Sequence, residues 1–344
     1  MSPSDTVNFL SFLQQLRSAL GPSLLITAAV STSPFYLPSS NSSSAANVFN
    51  SFGKVLDFIT IMNYDVHDNT TPSPGSNAPL LSHGPSCPSA QDVVSAELAI
   101  DQWMKAGFPV GKILLGVPSY GYAMTSTATA LTETPDRRRS RAISMRQHWS
   151  MRRRRSPPYQ RRQDQLGNFS NTNAALAALS PVPDALNTSA SSSSSDINLA
   201  TASASSSDAN VVTDGSGQVQ FRYLVQVGAL VKNTTADRSS SSPSPSPSPP
   251  ADGPSSAALP SFIGSGSYTR YWDQCSSTPF LVSQSQKKVI PYDDPESLQL
   301  KARYAVQRGL AGVNIFDVHG DTLDWVLTDS LRAGLEQRGP PITN

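Results

Sequence analysis

The chain has 344 residues, of which 38% are hydrophobic, and its formal net charge is +1. That charge is unevenly distributed, because residues 137–162 contain 11 arginines and no acidic residue. Without these 11, 15 of the 26 basic residues remain against 25 acidic ones, a net charge of −10, which disfavours nucleic-acid binding. No apolar run has the length of a membrane span, and no signal peptide is predicted.

The first third of the chain predicts alternating helices and strands. Five apolar side chains recur at helical spacing before Gly21-Pro22, which predicts a first helix. The elements predicted after it are a strand at 24–30, a short helix at 47–55, a strand ending at Asp65, a capped helix at 89–106 and a strand at 113–117.

The middle of the chain differs in composition. Residues 125–290 are predicted to form an insertion with Arg-rich and Ser/Pro-rich tracts, of which 134–260 are mostly disordered. Segments 221–230 and 288–292 are predicted as strands of a small subdomain. Residues 291–337 then predict a helix opened by Asp294-Pro295, a strand at 310–316 and a last helix at 322–335. A helix followed by four strand–helix pairs is typical of an α/β fold with parallel strands.

Polar or aromatic side chains follow three of these strands. Tyr64 and Asp65 end one strand, Tyr120 and Tyr122 follow the next, and Asp317 follows the strand at 310–316. In folds of parallel strands the carboxyl ends carry the site, so these residues are candidates for it. Two alternatives remain open: Asp65 caps an ordinary turn, and the two tyrosines at 120 and 122 pack against the rim.

Four segments together resemble glycoside hydrolase family 18, the chitinases, and especially secreted fungal members. Residues 61–65 (Ile-Met-Asn-Tyr-Asp) resemble that family's sixth strand, and 112–121 resemble its seventh. Residues 292–297 (Tyr-Asp-Asp-Pro-Glu-Ser) resemble the element before its last helix–strand pair, and 309–316 resemble its eighth strand. The resemblance covers about residues 1–124 and 262–337.

The resemblance implies a partial (β/α)8 TIM barrel, equivalent to strands 5–8, with the insertion after strand 7. By this comparison 1–124 form strands 5–7 and 291–337 the last helix–strand–helix, so strands one to four would lie upstream. The family's Asp-x-x-Asp-x-Asp-x-Glu motif, which carries the general acid, does not occur here. No catalytic residue is therefore assigned.

The resemblance also implies roles in binding chitin or chito-oligosaccharides without a cofactor. Tyr64 would donate its hydroxyl to the acetamido oxygen of the sugar, and Asp65 would bond sugar hydroxyl or amide groups. Met62 would line the floor, and Tyr120 would supply a subsite wall or a hydrogen bond. Phe316 stands where the family usually has a Trp on which the sugar stacks, so weaker sugar binding or a differently shaped subsite is expected there.

Several alternatives stay open. Cys87 and Cys275 form either one disulfide or two free thiols. The four histidines lack metal-ligand spacing, so no metal site is predicted. The Arg-rich run is a misjoined reading frame, a solvated loop or, least favoured, a nucleic-acid arm. The complete protein is expected to be secreted and to cleave β-1,4 bonds between N-acetylglucosamine units; the alternatives are a non-catalytic chitin-binding protein and an inert product of a faulty gene model.

Overall fold

The computed structural model describes residues 3–37, 42–82, 87, 94–132, 210–213, 215–233 and 260–337. The Arg-rich run at 137–162 and the Ser/Pro tract at 239–256 lie outside these ranges. Most of the predicted disordered segment lies outside them as well. None of the helices in the described ranges combines the length and the apolar character needed to cross a bilayer.

Four parallel strands form the central sheet, in the order β1-β2-β3-β12. The helices and strands around it are α1 (Pro3–Leu20), β1 (Thr27–Val30), α2 (Ser42–Val55), β2 (Phe58–Met62), α3 (Ala96–Lys105), β3 (Ile113–Pro118), α5 (Pro295–Gln307), β12 (Gly312–Phe316) and α6 (Val326–Glu336). The predicted alternation of strands and helices is therefore present. This alternation of strands and helices follows from apolar runs in the sequence that end in turn residues.

The two faces of this sheet differ in burial. One face is packed with fully buried β-branched and leucine side chains such as Ile59, Ile61 and Leu115, and they share one core with residues of α2, α3, α5 and α6. The other face carries Ala29 and Phe316, which are exposed. Since parallel sheets normally bury both faces, this second face is open among the described residues.

The chain between β3 and α5 forms a separate set of strands. These are β4 (Tyr120–Tyr122), β5 (Met124–Thr125), β6 (Gln218–Gln220), β7 (Leu230–Lys232), β8 (Phe262–Gly264), β9 (Thr269–Asp273), β10 (Thr278–Ser283) and β11 (Lys288–Pro291), with helix α4 (Phe221–Gln226) between β6 and β7. Strands β5-β11-β10-β9 make an antiparallel sheet, while β4-β6 and β7-β8 are two-stranded. An insertion after the third parallel strand is thus observed.

The predicted strand at 221–230 is wrong, because residues 221–226 are helical. The segment offers apolar residues at both strand and helix spacing. Phe221 and Leu224, three residues apart, are both fully buried in the core, and that spacing places them on one face of a helix. Gly228, at φ +73°, then turns the chain into β7.

Two predicted element starts are also corrected. The first strand begins at Thr27 rather than at residue 24, and Leu24 is exposed. Arg17 binds the Leu24 carbonyl, and Asp57 accepts from the Ile26 N–H at 2.7 Å, so side chains hold this segment outside the sheet. Helix α3 begins at Ala96, capped by the Ser95 hydroxyl, and residues 88–93 lie outside the description.

Cys87 and Cys275 form a disulfide in the structure. The same region is joined by a hydrogen bond from Leu80 N–H to the Ser276 carbonyl, 2.9 Å long. Ser76 also contacts Thr278 through their hydroxyls at 2.9 Å. The segment after β2 is therefore attached to the antiparallel sheet at several points.

A buried ion pair lies beneath α5. Lys301 Nζ is 2.5 Å from Asp293 Oδ1, and both side chains are at most 1% exposed. Burial lowers the pKa of Lys301 more than the Asp293 charge raises it. The pair thus has a large desolvation cost and is stable only while both partners are present.

Lys301→Met is expected to lower the free energy of unfolding by about 3–5 kcal/mol, because the Asp293 carboxylate then stays buried without its cation. Lys232→Met is the matched control, since it breaks an exposed pair with Asp324 that contributes about 1 kcal/mol or less. Urea unfolding measures both. Equal losses in the two variants would contradict the expectation.

Gly121 allows β4 to approach β11 closely. A Cβ at this position would lie 2.0 Å from the Pro291 carbonyl oxygen. Gly121→Ala is therefore expected to displace the strand and cost about 1–3 kcal/mol of stability. Gly111→Ala, where no atom lies within 4 Å of the added carbon, serves as the control in thermal unfolding; a similar loss in both variants would contradict the close approach.

Candidate functional site

The predicted site residues lie at the carboxyl ends of adjacent strands. Tyr64 and Asp65 follow β2, Tyr120 follows β3, and Phe316 ends β12. Because β2, β3 and β12 are neighbours in one parallel sheet, their carboxyl ends meet at the same edge. The structure therefore brings these four side chains together.

Three aromatic rings form the body of this cluster. Tyr64 stacks on Phe316 with centroids 5.7 Å apart and an interplanar angle of 17°. Tyr120 meets both rings edge-on, at 6.2 Å from Tyr64 and 6.4 Å from Phe316. Phe316 remains 49% exposed, so the cluster presents aromatic surface to solvent.

Asp65 joins the cluster through two phenols. Its Oδ1 accepts hydrogen bonds from Tyr120 Oη at 2.6 Å and from Tyr122 Oη at 2.8 Å. Oδ2 accepts none among the described residues. Asp65 is exposed, so one carboxylate oxygen is fixed by the protein and the other is available to a ligand.

The phenols stay protonated donors. Burial, and then the negative charge of Asp65, raise the pKa of Tyr64 to about 12. The same two causes raise the pKa of Tyr120 and of Tyr122 above its usual value. Among the described residues the Tyr64 hydroxyl makes no hydrogen bond, so it can donate to a ligand oxygen.

Gly116 makes room for the Tyr64 ring. This residue is paired with Met62 across β2 and β3, and a Cβ on it would lie 3.2 Å from Tyr64 Cε1 and 2.5 Å from the Ile61 carbonyl oxygen. Met62 itself is half-buried on the open face of the sheet. The role of Met62 as the floor of a sugar site stays a prediction.

Ser119 fixes the end of β12. Its backbone N–H donates to the Phe316 carbonyl at 3.0 Å, and its hydroxyl donates to the Asp317 carbonyl at 2.6 Å. The Asp317 N–H donates back to the Ser119 hydroxyl at 3.1 Å. The peptide bond between Phe316 and Asp317 is cis. Phe316 is thus held by the neighbouring strand end.

Two tryptophans and two aspartates are not part of the aromatic cluster. Trp272 is in β9 of the insertion, with the Arg270 guanidinium 5.5 Å from its ring centroid. Trp103 is fully buried in the core. Asp317 and Asp321 accept hydrogen bonds from backbone N–H groups at the starts of the turns or helices that follow. These residues have structural contacts that account for them.

One contact and one residue of the site do not follow from the sequence. Tyr122 is among the candidates at a strand end, with packing against the rim as the alternative, but the sequence assigns it no partner; in the structure its hydroxyl donates to Asp65 Oδ1 at 2.8 Å. No pattern in the sequence indicates Asn77 as a site residue. Its side chain contacts Asp65 and Tyr120, and only the path of the loop shows this.

Residues 2–321 match the family described as Glycosyl hydrolases family 18. A chitinase-like effector of Moniliophthora roreri is 27% identical over 331 residues, which are 96% of this chain and 61% of that protein. A chitinase-like effector of Moniliophthora perniciosa is 24% identical over 337 residues, 97% of this chain and 58% of that protein. This chain thus spans about three fifths of the length of the curated relatives it matches.

A solved structure shows a similar fold. The chitinase RmChi1 of Rhizomucor miehei superposes with a TM-score of 0.54 at 25% identity, over 97% of this chain and 68% of that one. The family match extends over nearly the whole chain, including the insertion, and is wider than the two segments on which the sequence resemblance rested. This chain belongs to glycoside hydrolase family 18.

Proposed function

We propose that this chain binds chitin or chito-oligosaccharides at the carboxyl edge of its parallel sheet and forms part of a chitinase-like domain. The observation that carries the proposal is the side-by-side placement of two available groups, the Tyr64 hydroxyl and Asp65 Oδ2, beside the half-exposed ring of Phe316. An N-acetylated sugar offers an amide to such polar groups and an apolar ring face to the aromatic side chain.

The chemistry of the family gives these groups a role. In family 18 the sugar's own acetamido oxygen attacks the anomeric carbon, a substrate-assisted variant of glycoside hydrolysis. A protonated Tyr64 would donate a hydrogen bond to that oxygen and orient it. Asp65 Oδ2 would accept from the sugar amide or a hydroxyl, while its other oxygen stays bound to the two phenols.

Cleavage also needs an acid that protonates the leaving oxygen. The sequence contains no Asp-x-x-Asp-x-Asp-x-Glu motif, so this chain alone is proposed to bind without hydrolysing. In the complete, secreted protein the same groups would serve hydrolysis of β-1,4 bonds between N-acetylglucosamine units. We also propose that this chain forms a partial barrel. Two observations support this: one face of the parallel sheet is open among the described residues, and the chain aligns with 61% of the Moniliophthora roreri relative.

One observation favours a second function, a chitin-binding protein that never cleaves. Two relatives aligned with nearly the whole chain are named chitinase-like effectors. Both proposals predict binding by this chain. They differ only in the activity of the complete protein.

Binding is tested by calorimetric titration with N-acetylchitotetraose, with cellotetraose as the ligand that lacks acetamido groups. The unaltered chain is expected to bind the first and not the second. Tyr64→Phe should weaken binding roughly fivefold, since it removes one hydrogen bond of about 1 kcal/mol.

Tyr271→Phe is the matched control, because Tyr271 lies in β9 against Phe280 and is exposed away from the cluster. It should leave the affinity unchanged. Equal affinity for both tetrasaccharides would argue against recognition of the acetamido group. Turnover of a fluorogenic chito-oligosaccharide that Tyr64→Phe abolishes would show that this chain is an enzyme on its own, against the proposal.

A further inference from the structure

We propose that Asn77 is a positioning residue that fixes the orientation of the Asp65 carboxylate in the sugar-binding site. This inference rests on the proposed function for its consequence in binding, although its structural part can be tested without a ligand. Asn77 lies 12 residues beyond Asp65 in the chain, and its side chain is almost completely buried.

The amide of Asn77 bridges two backbones that carry site residues. Its Oδ1 accepts from the Asp65 N–H at 2.9 Å, and its Nδ2 donates to the Tyr120 carbonyl at 3.0 Å. Its own carbonyl accepts from the Val66 N–H at 3.0 Å. The hydrogen bond from Tyr120 Oη to Asp65 Oδ1 then closes a ring of contacts between the strand ends.

Asp65 needs such support because its backbone is unusual. Its φ is +59°, the left-handed region, which is unfavourable for a residue with a Cβ. In that conformation its N–H points to Asn77 instead of continuing the strand. A primary amide carries its acceptor and its donor on separate atoms, so its oxygen can accept from one backbone while its nitrogen donates to another.

The position of Asn77 does not depend on its own amide. The segment that carries it is held by the Ser76–Thr278 hydroxyl contact, by the bond from Leu80 N–H to the Ser276 carbonyl, and by Asn63 Nδ2, which donates to the Pro79 carbonyl at 3.0 Å. Loss of the Asn77 amide should therefore release Asp65 while the segment stays in place.

The test is a double-mutant cycle in the full chain, read by affinity for N-acetylchitotetraose. Asn77→Ala should weaken binding about tenfold by freeing the carboxylate. In an Asp65→Gly background, where glycine takes positive φ readily and no carboxylate remains, the same change should have an effect of less than about twofold.

Asn63→Ala is the matched control. It removes an equally buried asparagine bonded to the same segment without touching Asp65. Because the Ser76–Thr278 contact and the bond from Leu80 N–H to the Ser276 carbonyl still hold that segment, the affinity should change less than about twofold. If Asn77→Ala does not fold, Asn77→Asp replaces it. That variant keeps an acceptor for the Asp65 N–H but loses the donor to Tyr120, and should weaken binding about threefold.

Crystal structures of the variants provide a readout that needs no ligand. In Asn77→Ala the Asp65 carboxylate should lose its bonds to both phenols, and in Asn63→Ala it should keep them. An unchanged carboxylate, or an equal effect of Asn77→Ala in both backgrounds, would overturn the inference. Failure of the unaltered chain to bind the tetrasaccharide would instead contradict the proposed function, and the crystal structures would still decide the role of Asn77.

Discussion

Two phenols share one carboxylate oxygen at the centre of the site, and this arrangement constrains everything around it. The Tyr120 and Tyr122 hydroxyls both donate to Asp65 Oδ1, which leaves Oδ2 without a hydrogen bond among the described residues. Both phenols lie on β4 (Tyr120–Tyr122), which can approach β11 closely because Gly121 has no side chain. The geometry of one oxygen therefore depends on the packing of these two strands against each other.

The part of the site that follows from strand ends could be predicted from the sequence. Buried strands that finish in polar or aromatic residues indicate a common edge, and Tyr64, Asp65, Tyr120 and Phe316 do lie there. The residues that orient them could not be predicted in this way. Asn77 and Ser119 act through hydrogen bonds formed by the path of a loop or a turn, and neither leaves a periodic pattern in the sequence.

Local ambiguity explains the corrected elements. Residues 221–226 carry an apolar pattern that fits a strand or a short helix, and burial of Phe221 and Leu224 in one core decided for the helix. At the first strand, Arg17 and Asp57 hold the preceding segment by side-chain bonds. In both cases contacts distant in sequence outweighed local propensity.

In substrate-assisted hydrolysis, different groups orient the sugar and protonate the leaving oxygen, so binding and cleavage can be separate properties. In that chemistry the nucleophile belongs to the sugar, so the protein groups that orient the acetamide are distinct from the acid that protonates the leaving oxygen. Tyr64 and Asp65 would belong to the first set.

Burial keeps Tyr64 a proton donor well beyond neutral pH, and the Asp65 carboxylate is held by protein hydrogen bonds before any ligand arrives. Sugar binding by groups preorganised in this way would be favourable without a general acid, since the hydrogen bonds and the aromatic contact form with the substrate in its ground state. The same groups can therefore serve a hydrolase that has the acid or a binding protein that lacks it.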